Sequence, residues 1–347
     1  ALKIVIIGGV AAGPKAAARA RRCDPQAEIT ILEKGQYISY AACGLPYLIS
    51  GEIPNIKHIL ASPYGAVRDA DYFRTVKDIN FLTGKEVTAI DRGAHEVKAR
   101  DLATSKEETY PYDKLVVATG AVPVRPPVPG LDVENVFAIR QPRDSLDIMA
   151  ALEKRQPQRA VLVGAGAIGL EMAEALVDWG TEVTVIEALD QVFPGLLDPE
   201  MGALLHRHLE AKGVKVHTGA KVTGFGSDED NRLSRVYTDK GEYPAELAVV
   251  AVGVRPSVDL ARQAGLTIGA TGAIQVDQEL RTSEPDIYAG GDCAENFHRL
   301  LNRPVFISSG QLANIQGRII GTNLTGGRAV YKGMVGTAVS KVFDFTV

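Results

Sequence analysis

One arrangement of residues occurs twice in this chain and limits the folds open to it more than any other feature. An apolar run, Ala160-Val161-Leu162-Val163, meets Gly164-Ala165-Gly166-Ala167-Ile168-Gly169 and passes into a helical pattern from Leu170 to Trp179; a second apolar run, Glu182-Val183-Thr184-Val185-Ile186, then ends on Glu187. The same order opens the chain. Ile4-Val5-Ile6-Ile7 meets Gly8, Gly9 and Gly13, an alanine-rich helical pattern runs from Lys15 to Arg22, and Ile29-Thr30-Ile31-Leu32 ends on Glu33. Strand, glycine turn, helix, strand and acid in that order are the marks of a dinucleotide-binding unit. The glycines allow a tight turn and close backbone approach, the helix N-terminus offers unpaired N–H groups to a pyrophosphate, and the acid holds a ribose. Glycine fills 35 of 347 positions, so its spacing alone decides little and the flanking strands and acids carry the reading. The first copy is less regular: Val10 stands at the second glycine of the fingerprint, and Pro14 is tolerated only because a first helical turn needs no N–H there. Two units imply two nucleotides, and hence electron transfer between them.

Other segments fit the same scheme. Tyr112 to Gly120 reads as a buried strand running into the turn Ala118-Thr119-Gly120, and Leu247 to Pro256, with Gly253, repeats that design after the second unit. Ile287 to Ala294 is a short strand ending in Gly290-Gly291-Asp292, suited to set Asp292 against a sugar-like hydroxyl chain, although such a tripeptide also makes plain turns. Cys23, Cys43 and Cys293 show neither CxxC nor zinc-ligand spacing and read as cytosolic thiols. Cys43 lies just beyond the first unit, in Ser39-Tyr40-Ala41-Ala42-Cys43-Gly44-Leu45-Pro46-Tyr47, and opens a helix predicted through Ile49 whose free amides favour an anion. A lone cysteine that reacts must cycle through a mixed disulfide with a small thiol or through a sulfenic acid. Cys23 ends an exposed-looking helix and Cys293 reads as packing. Lys15, Arg19 and Arg22 recur on one helical face, either as a solvated surface or as a landing strip for phosphates. The histidines, His206, His208 and His298 among them, show no metal pattern, so no metal site is expected. A net charge of −4 gives no case for nucleic acid. No apolar run approaches the ~20 residues of a membrane span, and the chain opens on a core strand that leaves no room for a signal peptide, so a cytoplasmic protein is expected.

Taken together, the two glycine turns with Glu33 and Glu187, the Ser39 to Tyr47 run with Cys43, the Ala118-Thr119-Gly120 turn and Gly290-Gly291-Asp292 resemble the FAD-dependent pyridine nucleotide–disulfide oxidoreductases. Within them the chain is similar to the single-cysteine branch of coenzyme A disulfide reductase, NADH oxidase, NADH peroxidase and NAD(P)H persulfide or polysulfide reductase. The resemblance covers nearly the whole chain. It implies an α/β fold with two dinucleotide-binding (Rossmann-like) domains of the glutathione reductase type and only the start of a C-terminal α+β interface domain. The FAD-binding domain would comprise residues 1–121 and 249–323, the NADH-binding domain 122–248, and the start of the dimerisation domain 324–347. By the same resemblance Gly8, Gly13 and Glu33 hold the adenine half of FAD and Asp292 its ribityl chain, while Gly164, Gly166, Gly169 and Glu187 hold NADH; Ala118, Thr119, Gly120 and Gly253 also stand at the cofactors. NADH is expected over NADPH, because Glu187 lies where a 2′-phosphate needs space and Ala188-Leu189-Asp190 offers no arginine. Cys43 would be the redox thiol, taking electrons that pass from NADH through FAD to a disulfide or sulfenate. Arg19, Arg22 and Ser39 would face coenzyme A, as substrate or bound thiol.

Three departures refine the expectation. Relatives that reduce oxygen or peroxide carry a histidine in the first glycine turn, where this chain has Ala11, so coenzyme A disulfide or a related small-molecule persulfide or polysulfide is expected ahead of the NADH oxidase reading; a silent flavoprotein relay is the third alternative. Ala42 stands where the branch often has asparagine. Finally, Gly336 to Val347 reads as one alternating apolar strand that stops inside the interface domain. The complete protein is therefore expected to be a homodimer, and a chain ending there to be monomeric or prone to aggregate.

Overall fold

Every residue of Lys3–Ile7 except the first is buried, as befits a strand at the centre of a parallel sheet covered on both faces. In the computed structural model, which describes residues 1–347, this strand (β1) is followed by helix α1 (Ala12–Cys23) and strand β2 (Glu28–Glu33). A 3-10 turn at Ala42–Gly44 leads into α2 (Leu45–Ser50), α3 (Ile56–Leu60), α4 (Ala70–Lys77) and β3 (Asn80–Thr83). An antiparallel meander of β4 (Lys85–Asp91), β5 (Glu96–Asp101) and β6 (Glu107–Pro111) precedes β7 (Lys114–Val117) and the short β8 (Ala121–Pro123).

The order then repeats. After β9 (Val136–Phe137) and α5 (Pro142–Arg155) come β10 (Arg159–Val163), α6 (Ala167–Asp178), β11 (Glu182–Ile186), α7 (Pro199–Ala211) and β12 (Lys215–His217). A second meander, β13 (Val222–Ser227), β14 (Leu233–Thr238) and β15 (Gly241–Pro244), precedes β16 (Leu247–Val250). The chain continues through β17 (Val254–Pro256), α8 (Asp259–Gln263), β18 (Ile287–Ala289), the ribbon β19 (Asn296–His298) and β20 (Arg303–Val305), and α9 (Gly310–Asn323), and ends in a hairpin of β21 (Lys341–Val342) and β22 (Phe345–Thr346).

These elements form two units, one of Ala1–Ala41, Leu60–Val122 and Arg255–Thr337, the other of Ala42–Ile59, Pro123–Val254 and Ala338–Val347. Each is built on a five-stranded parallel sheet, in the orders β18-β7-β1-β2-β3 and β12-β11-β10-β16-β9. Each inserts its meander at the same topological point, between an outer strand (β3 or β12) and the strand that returns beside the central one (β7 beside β1, β16 beside β10). The fold class is thus that of two Rossmann-like units, and the duplication read from the glycine turns extends through the sheets.

In the first unit, Ile4 and Ile6 pack on one face with Ala16, Ala17 and Ala20, while Val5 and Ile7 pack on the other with Val97, Ala99 and Leu115. The alanines of α1 have a further cause. Helix α9 lies so close that a Cβ at Gly317 would stand 2.6 Å from the Ala12 carbonyl oxygen and one at Gly321 2.3 Å from that of Ala16. Small residues on both helices are what permit this approach.

Two local expectations are corrected. The single strand read over Gly336 to Val347 is instead a hairpin, closed by paired hydrogen bonds between Ser340 and Val347 at 2.9 Å and seated on α6 by Phe343 N–H donating to Glu174 Oε2 at 2.7 Å. Cys43 does not open an α-helix: it sits in the 3-10 turn, and α2 begins at Leu45 with Pro46 in its first turn. Proline is admitted only where no N–H is required, which fixes the helix start just ahead of it. No helix is long and apolar enough to cross a membrane.

Candidate functional site

Both glycine turns leave the C-terminal end of their sheet's central strand with the same backbone geometry. Gly8 has φ +108° and Gly164 φ +105°, a region closed to other residues, and an added Cβ would lie 2.1 Å from the Ala118 carbonyl oxygen in the first case and 2.5 Å from that of Ala251 in the second. The third glycines are equally confined, a Cβ at Gly13 meeting Gly8 O at 2.0 Å and one at Gly169 meeting Gly164 O at 2.1 Å. Gly166 differs: a Cβ there would meet nothing within 4 Å, so its bare backbone faces open space of the kind a close-approaching phosphate needs. At the matching place the first unit carries Val10. Neither α1 nor α6 has a side-chain hydrogen bond at its N-cap, which leaves their first N–H groups to an anion.

The two acids are held alike. Glu33 accepts from Gly9 N–H and Gly35 N–H, both at 2.7 Å, and Glu187 accepts from Ala165 N–H at 2.7 Å and Leu189 N–H at 2.9 Å. Each carboxylate is thereby fixed at the strand end beside its own glycine turn. In the first unit Ala118 lies under Gly8, Thr119 Oγ1 donates to Ser257 O at 2.7 Å, and Gly120 turns with φ +70°; in the second, Gly253 turns with φ +101°. Asp292 follows β18, accepting from Ser308 Oγ at 2.5 Å and Ser309 N–H at 3.1 Å. Behind it Gly291 N–H donates to Gln316 Oε1 at 2.7 Å, and Gln316 is bonded to Asn296, a buried network that the sequence did not reveal. Cys293 is fully buried, its thiol donating to Val117 O and Gly290 O at 3.4 Å and pushed up by burial, as an inert packing residue would be.

Cys43 is exposed and belongs to the second unit, as does the helix that follows it. Leu45, Leu48 and Ile49 are buried there, and Gly44 is pressed against Ile53 and Ile59. Burial raises the Tyr47 phenol, and Glu171, Glu174, Glu52 and Cys43 add to it in that order. Glu171, overlooked in the sequence, stands one turn into α6; burial pushes its carboxyl up, opposed by a hydrogen bond from Ser340 and assisted by Glu174. Two acids one turn apart, Glu171 and Glu174, shortly past the third glycine in a largely apolar helix were the available signal.

Around α1 the first unit gathers cations. Lys15 is lowered by burial and then by Arg318, Arg22, Arg68 and Lys77, and none of these five has a carboxylate within ion-pair distance. Three of them, Arg68, Lys77 and Arg318, come from segments that spacing along α1 could not show. Arg68 reaches Ser39, whose carbonyl accepts from Nη2 at 2.9 Å; Ser39 itself has φ +50° and donates its N–H to Gly9 O at 2.8 Å. Arg19 is turned to α9, its Nε donating to Thr322 Oγ1 at 2.9 Å, while Arg22 is exposed.

Paired glycine turns in a doubled parallel α/β fold, with an exposed thiol in the 3-10 turn at Ala42–Gly44, have the form of a dinucleotide-dependent oxidoreductase. The chain belongs to the pyridine nucleotide-disulphide oxidoreductase family, whose model matches residues 2–316. It is 34% identical over 346 residues to a protein of Pyrococcus abyssi named NAD(P)H sulfur oxidoreductase (CoA-dependent), covering 99% of this chain and 74% of that one. It is also 34% identical to an NADH oxidase of Methanocaldococcus jannaschii, covering 100% of this chain and 75% of the relative. Among solved structures, an NAD-dependent persulfide reductase from A. fulgidus superimposes with a TM-score of 0.96 at 46% identity, over 99% of this chain and 63% of that one. The chain thus spans less than two thirds of that solved protein's length.

Proposed function

We propose that this chain is the nucleotide-binding and thiol-bearing part of an NADH-dependent flavoprotein that reduces coenzyme A disulfide or coenzyme A persulfide and polysulfide. Gly8, Gly13, Glu33, the Ala118 to Gly120 turn and Asp292 would hold FAD; Gly164, Gly166, Gly169, Glu187 and Gly253 would hold NADH. The stereochemistry of both turns fits dinucleotides: each presents free helix amides for a pyrophosphate and a fixed carboxylate for a ribose. Glu187, with both oxygens held by amides, occupies the place where NADPH would bring its 2′-phosphate, which favours NADH. Bound flavin supplies the two-electron relay between nicotinamide and sulfur. The chain's own work is to bind each nucleotide on its own sheet and to present Cys43 to the sulfur of the acceptor, where its attack on the sulfur–sulfur bond forms a mixed disulfide and releases the other sulfur as a thiol.

The observation that carries the coenzyme A reading is the gathering of Arg22, Arg68, Lys77 and Arg318 around Lys15, none of them in an ion pair, with Arg68 also held on the Ser39 carbonyl. Five cations held together repel one another, and a ligand with several phosphates relieves that repulsion. The names of the Pyrococcus and A. fulgidus relatives agree with a sulfur acceptor. The M. jannaschii relative keeps oxygen as the second reading.

Calorimetric titration with coenzyme A and with its 3′-dephospho form tests the cluster. Arg68→Ala is expected to weaken coenzyme A binding about tenfold or more, and added salt to weaken it further. Because an anion favours the charged form of Lys15, whose ammonium is lowered in the free protein, affinity should fall as pH rises through that lowered value, earlier than for an ordinary lysine. Equal affinity in the parent and Arg68→Ala, indifferent to salt, would remove coenzyme A from the cluster.

A further inference from the structure

Helix α2 is six residues long, too short to hold itself in water, so its contacts decide where the preceding thiol points. Those contacts lie on α5 and α6 of its own unit. At its start Ser145 Oγ of α5 donates to Leu45 O at 3.4 Å; at its end the indole Nε1–H of Trp179, the residue that closes α6, donates to Ile49 O at 2.6 Å. Ile49 O belongs to the last turn, where no N–H of the helix can reach it. Between these points lies Tyr47, whose phenol is raised by burial and then by Glu171 and Glu174 of α6.

We propose that Trp179 is a positioning residue for Cys43. One helix would then serve two purposes: its N-terminus forms the pyrophosphate turn, and its C-terminal indole fixes the end of the short helix that presents the thiol. This rests on the reading of Cys43 as the reacting thiol, but not on which acceptor is natural.

The test uses an acceptor of no biological standing, 5,5′-dithiobis(2-nitrobenzoate). In a Cys23→Ser background, which removes the other exposed thiol, Cys43 thiolate attacks the reagent disulfide, a mixed disulfide forms, and one thionitrobenzoate leaves and is counted by its colour. Trp179→Phe keeps an aromatic ring and loses the donor; the exchange rate at Cys43 is expected to fall about tenfold. NADH binding at the Gly164 turn should stay within about twofold, since that turn is at the other end of the helix. The chain has one tryptophan, so biosynthetic replacement isolates the N–H: 5-fluorotryptophan, which keeps it, should retain the parent rate, and benzothienylalanine, in which sulfur replaces the N–H in a ring of similar shape, should reproduce the phenylalanine variant. A parent rate with benzothienylalanine overturns the proposal, as does an equal loss of NADH binding and thiol exchange in both replaced forms. If coenzyme A disulfide proved not to be a substrate, these outcomes would still decide the role of Trp179.

Discussion

Cys43→Ser is expected to lower disulfide turnover more than about a thousandfold while leaving flavin binding, and flavin bleaching by NADH, within about twofold of the parent. The two halves of this expectation have separate causes. The nucleotide turns and their acids make no use of sulfur: they are formed from glycines, main-chain amides and the carboxylates of Glu33 and Glu187. Reduction of a disulfide requires a nucleophile that forms and then surrenders a sulfur–sulfur bond, and a serine hydroxyl does neither. Cys23→Ser and Cys293→Ala should retain turnover within about threefold, the first because the residue lies at the exposed end of α1, the second because its thiol is sealed in the core, donating to main-chain carbonyls. Anaerobic absorbance spectra and turnover of the purified variants decide the matter. Turnover retained by Cys43→Ser, or lost in Cys23→Ser, would mean that the wrong thiol has been assigned.

Two alanine substitutions in matching glycines should produce opposite losses. At Gly8 the added Cβ stands 2.1 Å from the Ala118 carbonyl oxygen, and at Gly164 2.5 Å from that of Ala251, both at a positive φ that L side chains avoid. Backbone strain of about 1–3 kcal/mol and a comparable overpacking cost fall on each turn. Gly8→Ala should therefore emerge from purification without flavin and melt earlier. Gly164→Ala should keep its flavin but need about a hundredfold more NADH to bleach it. Flavin absorbance after gel filtration, followed by NADH titration, reads both. Flavin lost from Gly164→Ala and kept by Gly8→Ala would exchange the two nucleotide assignments.

What was legible in the sequence was local or repeated. A glycine that must turn at positive φ, an acid at the end of the following strand and a buried four-residue strand are each written in consecutive residues, and both copies of the unit appear in the structure as read. Three features were hidden because their causes lie far apart in the chain. The cations around Lys15 come from α1, α4, α9 and the stretch before α4, and the sequence shows only the α1 members at helical spacing. The hydrogen bonds that tie α2 to its own unit come from Ser145 and Trp179, 100 and 130 residues beyond the carbonyls they hold. The alanines of α1 read as helix formers, although their burial under Gly317 and Gly321 is what requires them to be small. The C-terminal hairpin was misread for a different reason. Both arms alternate with the period of a strand, and the reversal at Phe343, with φ +54°, has only Asp344 beside it to announce a turn.

The most direct measurement is anaerobic mixing of the flavin-loaded protein with NADH and coenzyme A disulfide, with free thiols and NADH counted in the same sample. Two coenzyme A thiols released for each NADH oxidised, with little change when oxygen is admitted, is the expected result. NADH oxidation that requires oxygen and proceeds at the same rate without the disulfide would contradict it.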